Sequence, residues 1–330
     1  MSMSMTVAAT VPLSGRYAAQ GSQMRAGLEA WARWAGARLV LEDDESRPER
    51  AAARYRALLR RCELVLGPYG SDSVRAVASS GLPGPLWNHG GAADDVQRLP
   101  GVVSIPSPAS RYLVALARAV AHLRPAARVA LVIADGRFAR LAREGLEPEA
   151  PLLGLRVTGT FAITGALEPL LAAEPDAVLL CGPVEQEVAL LRRLAGRVPL
   201  VGGLSPGLAA FPELFGASPD GLLAPAQWHP RLTGALGLGP ATAEVLAAAR
   251  ELGAAPIDYV GAQAFACALV AARCAELEPD DPLGAARGLK TATFFGGFAL
   301  DPESGIQCGH RLCVVRWRGA AQELLLADAA

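Results

Sequence analysis

Few residues of this chain have the types and spacing that chemistry demands. The segment Tyr69-Gly70-Ser71-Asp72-Ser73 puts a hydroxyl beside a carboxylate, but an adjacent pair cannot build a nucleophile–base–acid relay by itself. The histidines, His89, His122, His229 and His310, are scattered without the short spacing that brings two imidazoles to one zinc ion. No GxSxG turn occurs. The cysteines, Cys62, Cys181, Cys267, Cys274, Cys308 and Cys313, include no Cys-x-x-Cys and lie mostly in apolar runs, which predicts buried thiols and leaves a Cys308–Cys313 bridge open. Lys290 is the only lysine, so a phosphate loop ending in Gly-Lys-Ser/Thr is excluded, as is Schiff-base chemistry elsewhere. The expectation is a protein that is not an enzyme and holds no metal or cofactor. What remains is binding chemistry. Ser71 is placed to cap a helix whose free N–H groups and dipole favour an anion, and Asp72 also fits a plain first-turn carboxylate.

The elements that must position these residues follow one grammar: a short β-branched or Leu-rich run, a turn, then a helical period. A strand over Thr6–Val11 leads into a helix with Met24, Leu28, Trp31 and Ala35 on its apolar face. A strand over Arg38–Leu41 ends in the acidic turn EDDES, where Ser46 as cap, Pro48 and Glu49 predict the next helix start. Strands over Glu63–Leu66 and Pro85–Trp87 follow, and each turn lies at a strand's carboxyl end, where open α/β sheets bind ligands. From Val102 the pattern restarts: strands at Val129–Ile133, Arg156–Phe161 and Ala177–Cys181, helices at Ser110–Leu123, Arg137–Glu147 and Glu185–Leu194. Helices at Ala241–Leu252 and Tyr259–Glu276, a Gly-rich strand region FFGGFALDPESG and a final strand Leu312–Trp317 complete the chain. The fold class is α/β, with two Rossmann-like halves built on parallel sheets.

The 330 residues exceed one ordinary core, so two lobes are expected. Hydrophobic residues make up 52% and charged residues 19%, and no run is expected to reach the roughly 18 to 20 apolar residues of a membrane span, so the chain reads as water-soluble without membrane insertion. The net charge of −1 and the lack of Arg clustered with aromatics exclude a nucleic-acid partner. The opening MSMSMTVAATVPLSG lacks a basic region followed by an apolar core, so no signal peptide is expected in this chain. The protein is then cytoplasmic, or extracytoplasmic if a leader was removed.

Five segments together resemble the type I periplasmic binding proteins, in particular the leucine/isoleucine/valine-binding branch of transporter receptors. PLSGRYAAQGSQMRAGLEA is similar to the family's first strand-to-helix crossing, LEDDESRPERAAARYRALL to its acidic turn and second helix, and LVLGPYGSDS to its Gly-Pro turn before a Ser. PDAVLLCGPVEQEVALLRRL and TFFGGFALDPESG resemble the second-lobe strand–helix and the late hairpin. The resemblance implies two lobes joined by three hinge strands and closing on a small molecule in the cleft between them. Lobe 1 would be residues 1–106 and 232–309, and lobe 2 residues 107–231 and 310–330. It implies a solute receptor of an ABC-type importer that takes an amino acid-like, carboxylate or amide ligand and presents it to a permease. The alternative is a cytoplasmic sensor resembling the amide-responsive regulators, whose partner is a regulatory protein.

Carried over residue by residue, the resemblance assigns Ser71 to the ligand carboxylate. Asn88, His89, Gly90, Gly91 and Ala92 fall where the family offers backbone N–H groups and a hydroxyl to the same group. Tyr17 and Gln20 lie in the first crossing, Phe138 replaces a family tyrosine, and Tyr69 and Trp228 are candidates to complete an aromatic lining. The departure is at Leu204, which stands where amino-acid receptors carry the acid that pairs the α-ammonium. Asp72 or Glu185 is the candidate substitute, and without one the ligand is expected to lack that ammonium.

Overall fold

The computed structural model describes residues 5–165, 167–232, 234, 236–253 and 257–327. The first four residues, on which part of the leader reading rests, and the last three, assigned to lobe 2, lie outside them. The chain divides into two compact units, Met1–Pro108 with Leu232–Arg311 and Ala109–Arg231 with Leu312–Ala330.

In chain order, the first unit opens with β1 (Thr6–Val11), α1 (Ala18–Ala35), β2 (Arg38–Asp43), α2 (Pro48–Leu59), β3 (Leu64–Leu66), α3 (Ser71–Ala78), β4 (Leu86–Asn88), α4 (Asp94–Gln97) and β5 (Val102–Ser104). The second unit contributes α5 (Tyr112–Leu123), β6 (Arg128–Ile133), α6 (Arg137–Leu146), α7 (Glu149–Leu152), β7 (Arg156–Ala162), α8 (Leu167–Ala172), β8 (Ala177–Cys181), α9 (Val184–Leu194), β9 (Leu200–Gly202), α10 (Phe211–Phe215) and β10 (Leu223–Ala226). The chain returns to the first unit for α11 (Thr242–Glu251), α12 (Tyr259–Leu277), α13 (Pro282–Gly288), β11 (Thr291–Thr293) and β12 (Gly296–Phe298). It ends in the second with β13 (Cys313–Arg318) and β14 (Ala321–Ala327).

The first unit's sheet is parallel throughout, in the order β2-β1-β3-β4-β5. Its central strands are apolar without alternation because helices cover both faces. Gly27 of α1 lies so close to α12 that a Cβ there would meet the Gly261 carbonyl oxygen at 2.0 Å, and that contact lets the two helices pack tightly over the sheet. Contrary to the expectation that no segment is long and apolar enough to span a membrane, α12 passes on length and composition, with a mean hydropathy of 1.4. It is 72% buried inside the protein, which accounts for its composition as that of a core helix.

The second unit's sheet runs β14-β13-β10-β9-β8-β6-β7. It is parallel from β10 to β7, with β13 and β14 added antiparallel. The strand expected to be last is therefore followed by another. Gly319, at φ +58, and Ala320 form the turn that closes a hairpin between β13 and β14.

Two expected caps are also corrected. Arg47, not Ser46, is the N-cap of α2. Ser46 sits at φ +58, and its hydroxyl instead donates to the Ser14 carbonyl at 2.8 Å and accepts the Tyr17 N–H at 3.1 Å. Ser71 is the first residue of α3 and Gly70 is the N-cap at φ +90, so the Ser71 hydroxyl is not used on its own helix. All six cysteines are free thiols, so Cys308 and Cys313 are not bridged.

Candidate functional site

In the first unit, three turns at the carboxyl ends of β1, β3 and β4 come together. The acidic turn after β2 holds the first of them. Asp43 Oδ2 accepts the Ser14 hydroxyl at 2.7 Å, and Ser46 ties Ser14 to Tyr17. Tyr17 then meets Tyr69 edge-on, with ring centroids 5.3 Å apart and planes at 70°, and the Arg16 guanidinium lies 4.5 Å over the Tyr17 ring. Gly70 has to be glycine: its φ is +90 and a Cβ would stand 3.3 Å from the Tyr17 ring. Gln20, in the first turn of α1, is buried.

The turns after β3 and β4 are bonded to each other. The Gly70 N–H donates to the Gly90 carbonyl at 3.1 Å, Tyr69 and Gly90 form a parallel bridge, and Ser71 Oγ accepts the Ala93 N–H at 3.1 Å. That leaves the Ser71 hydroxyl proton and a second lone pair for another partner. Asp72 is exposed beside it.

The expectation for the loop after β4 needs correcting. Asn88 is wholly buried and its amide uses both ends internally: Oδ1 accepts the Gly90 and Gly91 N–H groups at 3.2 and 2.7 Å, while Nδ2 donates to the Gly91 carbonyl at 2.7 Å and to Ser104 Oγ at 2.8 Å. The N–H groups of Gly90 and Gly91, expected to face a ligand carboxylate, are therefore committed to Asn88. The glycines serve close packing, since a Cβ on Gly90 would stand 2.6 Å from Tyr69 Cα. His89 is also wholly buried, and burial pushes its imidazole down to about 4 against the opposing pull of the Gly67 backbone. It is a neutral core side chain. Ala92 is buried at the end of this loop.

In the second unit, Phe138 at the start of α6 packs edge-on against Tyr112 of α5, with centroids 5.4 Å apart. Tyr112 Oη accepts from Gln227 Nε2 at 2.7 Å, and burial pushes the phenol up to about 12. Trp228, after β10, is 3% exposed. A concavity of 340 Å³ at the ends of β6 and β7 is lined by Arg137, Arg140, Arg143 and Thr160 among others, and none of Tyr112, Phe138, Gln227 and Trp228 is in its lining. Leu204 is half-buried in the turn after β9.

Glu185, the candidate substitute acid, is exposed. Glu187 is the buried one, accepting the Gly182 N–H at 2.9 Å and the Ser205 N–H at 2.7 Å. Burial raises its carboxyl to about 7, with the Ser205 hydroxyl and these N–H groups working in the opposite direction. Helical phase explains the correction: two residues on from Glu185 is the opposite side of the helix, the side carrying Leu190, Leu191 and Leu194. The spacing of Glu187 to Leu191 and Leu194 was a signal that could have found it. Asp44 was missed as well. It is buried, its Oδ1 accepts the Ser46 N–H at 2.9 Å, and burial raises it to about 6. Nothing in the run EDDES distinguishes it from its neighbours. Among the described residues, no group of three His, Cys, Asp or Glu side chains is placed to hold a metal ion.

Two α/β units, each presenting loops at strand carboxyl ends, are the setting in which the comparisons with known proteins fall. The periplasmic binding protein family profile matches residues 4–322. The chain belongs to that family. Its structure is similar to the leucine-binding protein LivK of Thermotoga maritima, at a TM-score of 0.81 with 16% identity, covering 97% of each chain. It is similar to LivJ of Streptococcus pneumoniae in complex with isoleucine, at a TM-score of 0.76 with 15% identity, covering 97% of this chain and 98% of that one. It is also similar to a solute-binding protein of an ABC transporter from Rhodopseudomonas palustris in complex with p-hydroxybenzoic acid, at a TM-score of 0.76 with 18% identity and 98% of each chain covered. A comparison with curated proteins returns no match. The family's members are binding proteins, and the fold of this periplasmic binding protein is type I.

Proposed function

We propose that this chain is the solute receptor of an ABC-type importer, working outside the cytoplasm, which binds a small carboxylate without turning it over and hands it to a permease. The observation that carries the reading is the convergence of three strand-end turns in the first unit, which puts the Ser71 hydroxyl beside the Tyr17–Tyr69 pair. A hydroxyl at the start of a helix suits a carboxylate, and an edge-on aromatic pair suits an aromatic or branched side group. Similar structures hold isoleucine and p-hydroxybenzoic acid, which share the carboxylate and differ in the ammonium.

Between those two classes, the second unit favours the one without the ammonium. The turn after β9 presents Leu204, and the carboxylate beneath it, Glu187, has its oxygens turned toward backbone N–H groups. A buried ammonium would find no anionic partner in that turn, and leaving it unpaired costs several kcal/mol. Ser71, Tyr17, Tyr69, Gln20 and Ala92 on one unit, and Phe138, Leu204 and Trp228 on the other, are the proposed ligand residues. Hinge closure on the ligand belongs to the same proposal.

Isothermal titration against 4-hydroxybenzoate, benzoate, isoleucine and leucine tests it. Saturable binding of at least one aromatic carboxylate, with unchanged ligand recovered afterwards and a smaller radius of gyration by small-angle scattering, is the expected result. Recovery of a chemically altered ligand, or binding of the amino acids alone, overturns the reading.

A further inference from the structure

Among the described residues Glu187 is the one wholly buried acid of the second unit, and it lies under two turns at once. One oxygen accepts the Gly182 N–H at the end of β8 and the other accepts the Ser205 N–H after β9. The backbone comes close on both sides: a Cβ on Gly203 would stand 3.0 Å from Glu187 Oε2, and one on Gly182 would meet Ile163 and Ala134 at 2.9 and 3.0 Å. The groups facing the carboxylate are therefore the Ser205 hydroxyl, backbone N–H groups from the 204–205 turn and from Gly182, apolar side chains, and the Cys181 thiol of β8, which is itself pushed well up by burial and by the nearby carboxylate. Among the described residues no cation pairs with it. An acid buried this way without a cation is costly unless backbone donors satisfy it, and here both donors come from turns that end strands of the parallel sheet.

We infer that Glu187 is a positioning residue for the ligand: it clamps the turns after β8 and β9 together and so sets where Leu204 stands. This rests on the receptor reading above, in which Leu204 meets the ligand. The same arrangement gives the selectivity its sense. An acid placed on the turn would attract an α-ammonium, whereas an acid placed beneath it organises the backbone and leaves an apolar face, so the clamp selects ligands with an apolar group at that point. The indole N–H of Trp317 donates to the Pro206 carbonyl at 2.8 Å and extends the same support to the far end of the turn.

Amide hydrogen exchange on the full chain without ligand, followed at Gly182 and at residues 203–206, tests the clamp directly. Protection in the wild type should fall at least tenfold at both places in E187A. In E187Q, which keeps one acceptor oxygen, it should fall at one place only. Between pH 5 and 8 the protection factors should change in the wild type and stay level in E187Q. The second measurement is the dissociation constant for 4-hydroxybenzoate, expected to weaken about tenfold in E187A and to be largely restored in E187Q. Unchanged protection in both variants overturns the clamp. Altered protection with unchanged affinity overturns the positioning role and leaves Glu187 a support of the fold. If E187A does not fold, E187Q alone decides through its exchange and pH profile. Wild-type protein that binds none of 4-hydroxybenzoate, benzoate and isoleucine overturns the receptor reading and the positioning role with it, while the exchange data still report whether the clamp exists.

Discussion

The loop after β4 and the turn after β9 solve one problem with two different side chains. Both leave a parallel strand at its carboxyl end, and both have backbone N–H groups gathered by one buried side chain. Asn88 does it with a neutral amide that donates and accepts, closing four hydrogen bonds within its unit. Glu187 does it with a carboxylate that, when ionised, can only accept. The amide is indifferent to pH, whereas burial brings the carboxyl to about 7. A shared task of holding a turn thus makes one turn's tether insensitive to pH across the neutral range and the other's sensitive to it.

The largest effect should come from breaking the neutral tether. Asn88→Ala strands two glycine N–H groups and the Ser104 hydroxyl in a buried loop, and at about 1–3 kcal/mol per unsatisfied group the loss should reach roughly 4 kcal/mol. Urea unfolding at pH 5 and at pH 8 should show the same deficit. A deficit that changes between those pH values would remove the distinction between the two tethers.

Next comes the charged one. Glu187 has a folded value of about 7 against 4.5 when unfolded, so between these values the native state binds the proton that the unfolded state has released. The contribution of Glu187 to stability should therefore fall as pH rises from about 4.5 to 7, by about 3 kcal/mol at most, and level off above; Asp44, raised to about 6, adds in the same direction and His89, lowered to about 4, in the opposite one. Glu187→Gln should remove that contribution, so the difference in unfolding free energy between wild type and variant, measured at half-unit pH intervals, should fall across this window. A wild-type-minus-variant difference that stays level with pH would assign the titration to other groups.

Ser71→Ala separates binding from folding. The hydroxyl accepts the Ala93 N–H and does not cap its own helix, so stability should drop by about 1 kcal/mol. Loss of a hydrogen bond to a charged carboxylate should weaken the ligand by roughly 1.5–3 kcal/mol, or about ten- to a hundredfold. A fall in melting temperature with affinity intact would return Ser71 to a purely structural role. The smallest effect belongs to Asp72→Asn. The side chain is exposed on the first turn of α3, and less than about 0.5 kcal/mol is expected in stability or in binding of 4-hydroxybenzoate by titration. A tenfold loss of isoleucine binding in that variant would instead identify Asp72 as the missing ammonium partner.

Period and turn chemistry in the sequence determined the α/β class, the parallel strands at Thr6–Val11 and Ala177–Cys181 and the helices between them, because each of these reports a local preference that burial on both faces reinforces. The placement of Tyr17, Tyr69 and Ser71 on strand-end turns was legible for the same reason. Only the tertiary structure decided what each polar group does. Asn88, Gly90 and Gly91 look like donors to a ligand until the amide is seen closing on its own loop. Ser46 and Ser71 look like caps until Tyr17 and Ala93 are seen to claim their hydroxyls. Glu185 and Glu187 are two letters apart in one acidic run, and the side of α9 that meets β8 and β9 is what separates an exposed acid from a buried one. Hydrogen-bond partners are set by which backbones meet across the fold, and a carboxylate's charge by how much water that meeting removes. Neither quantity is local, so neither is written in the spacing of residues along the chain.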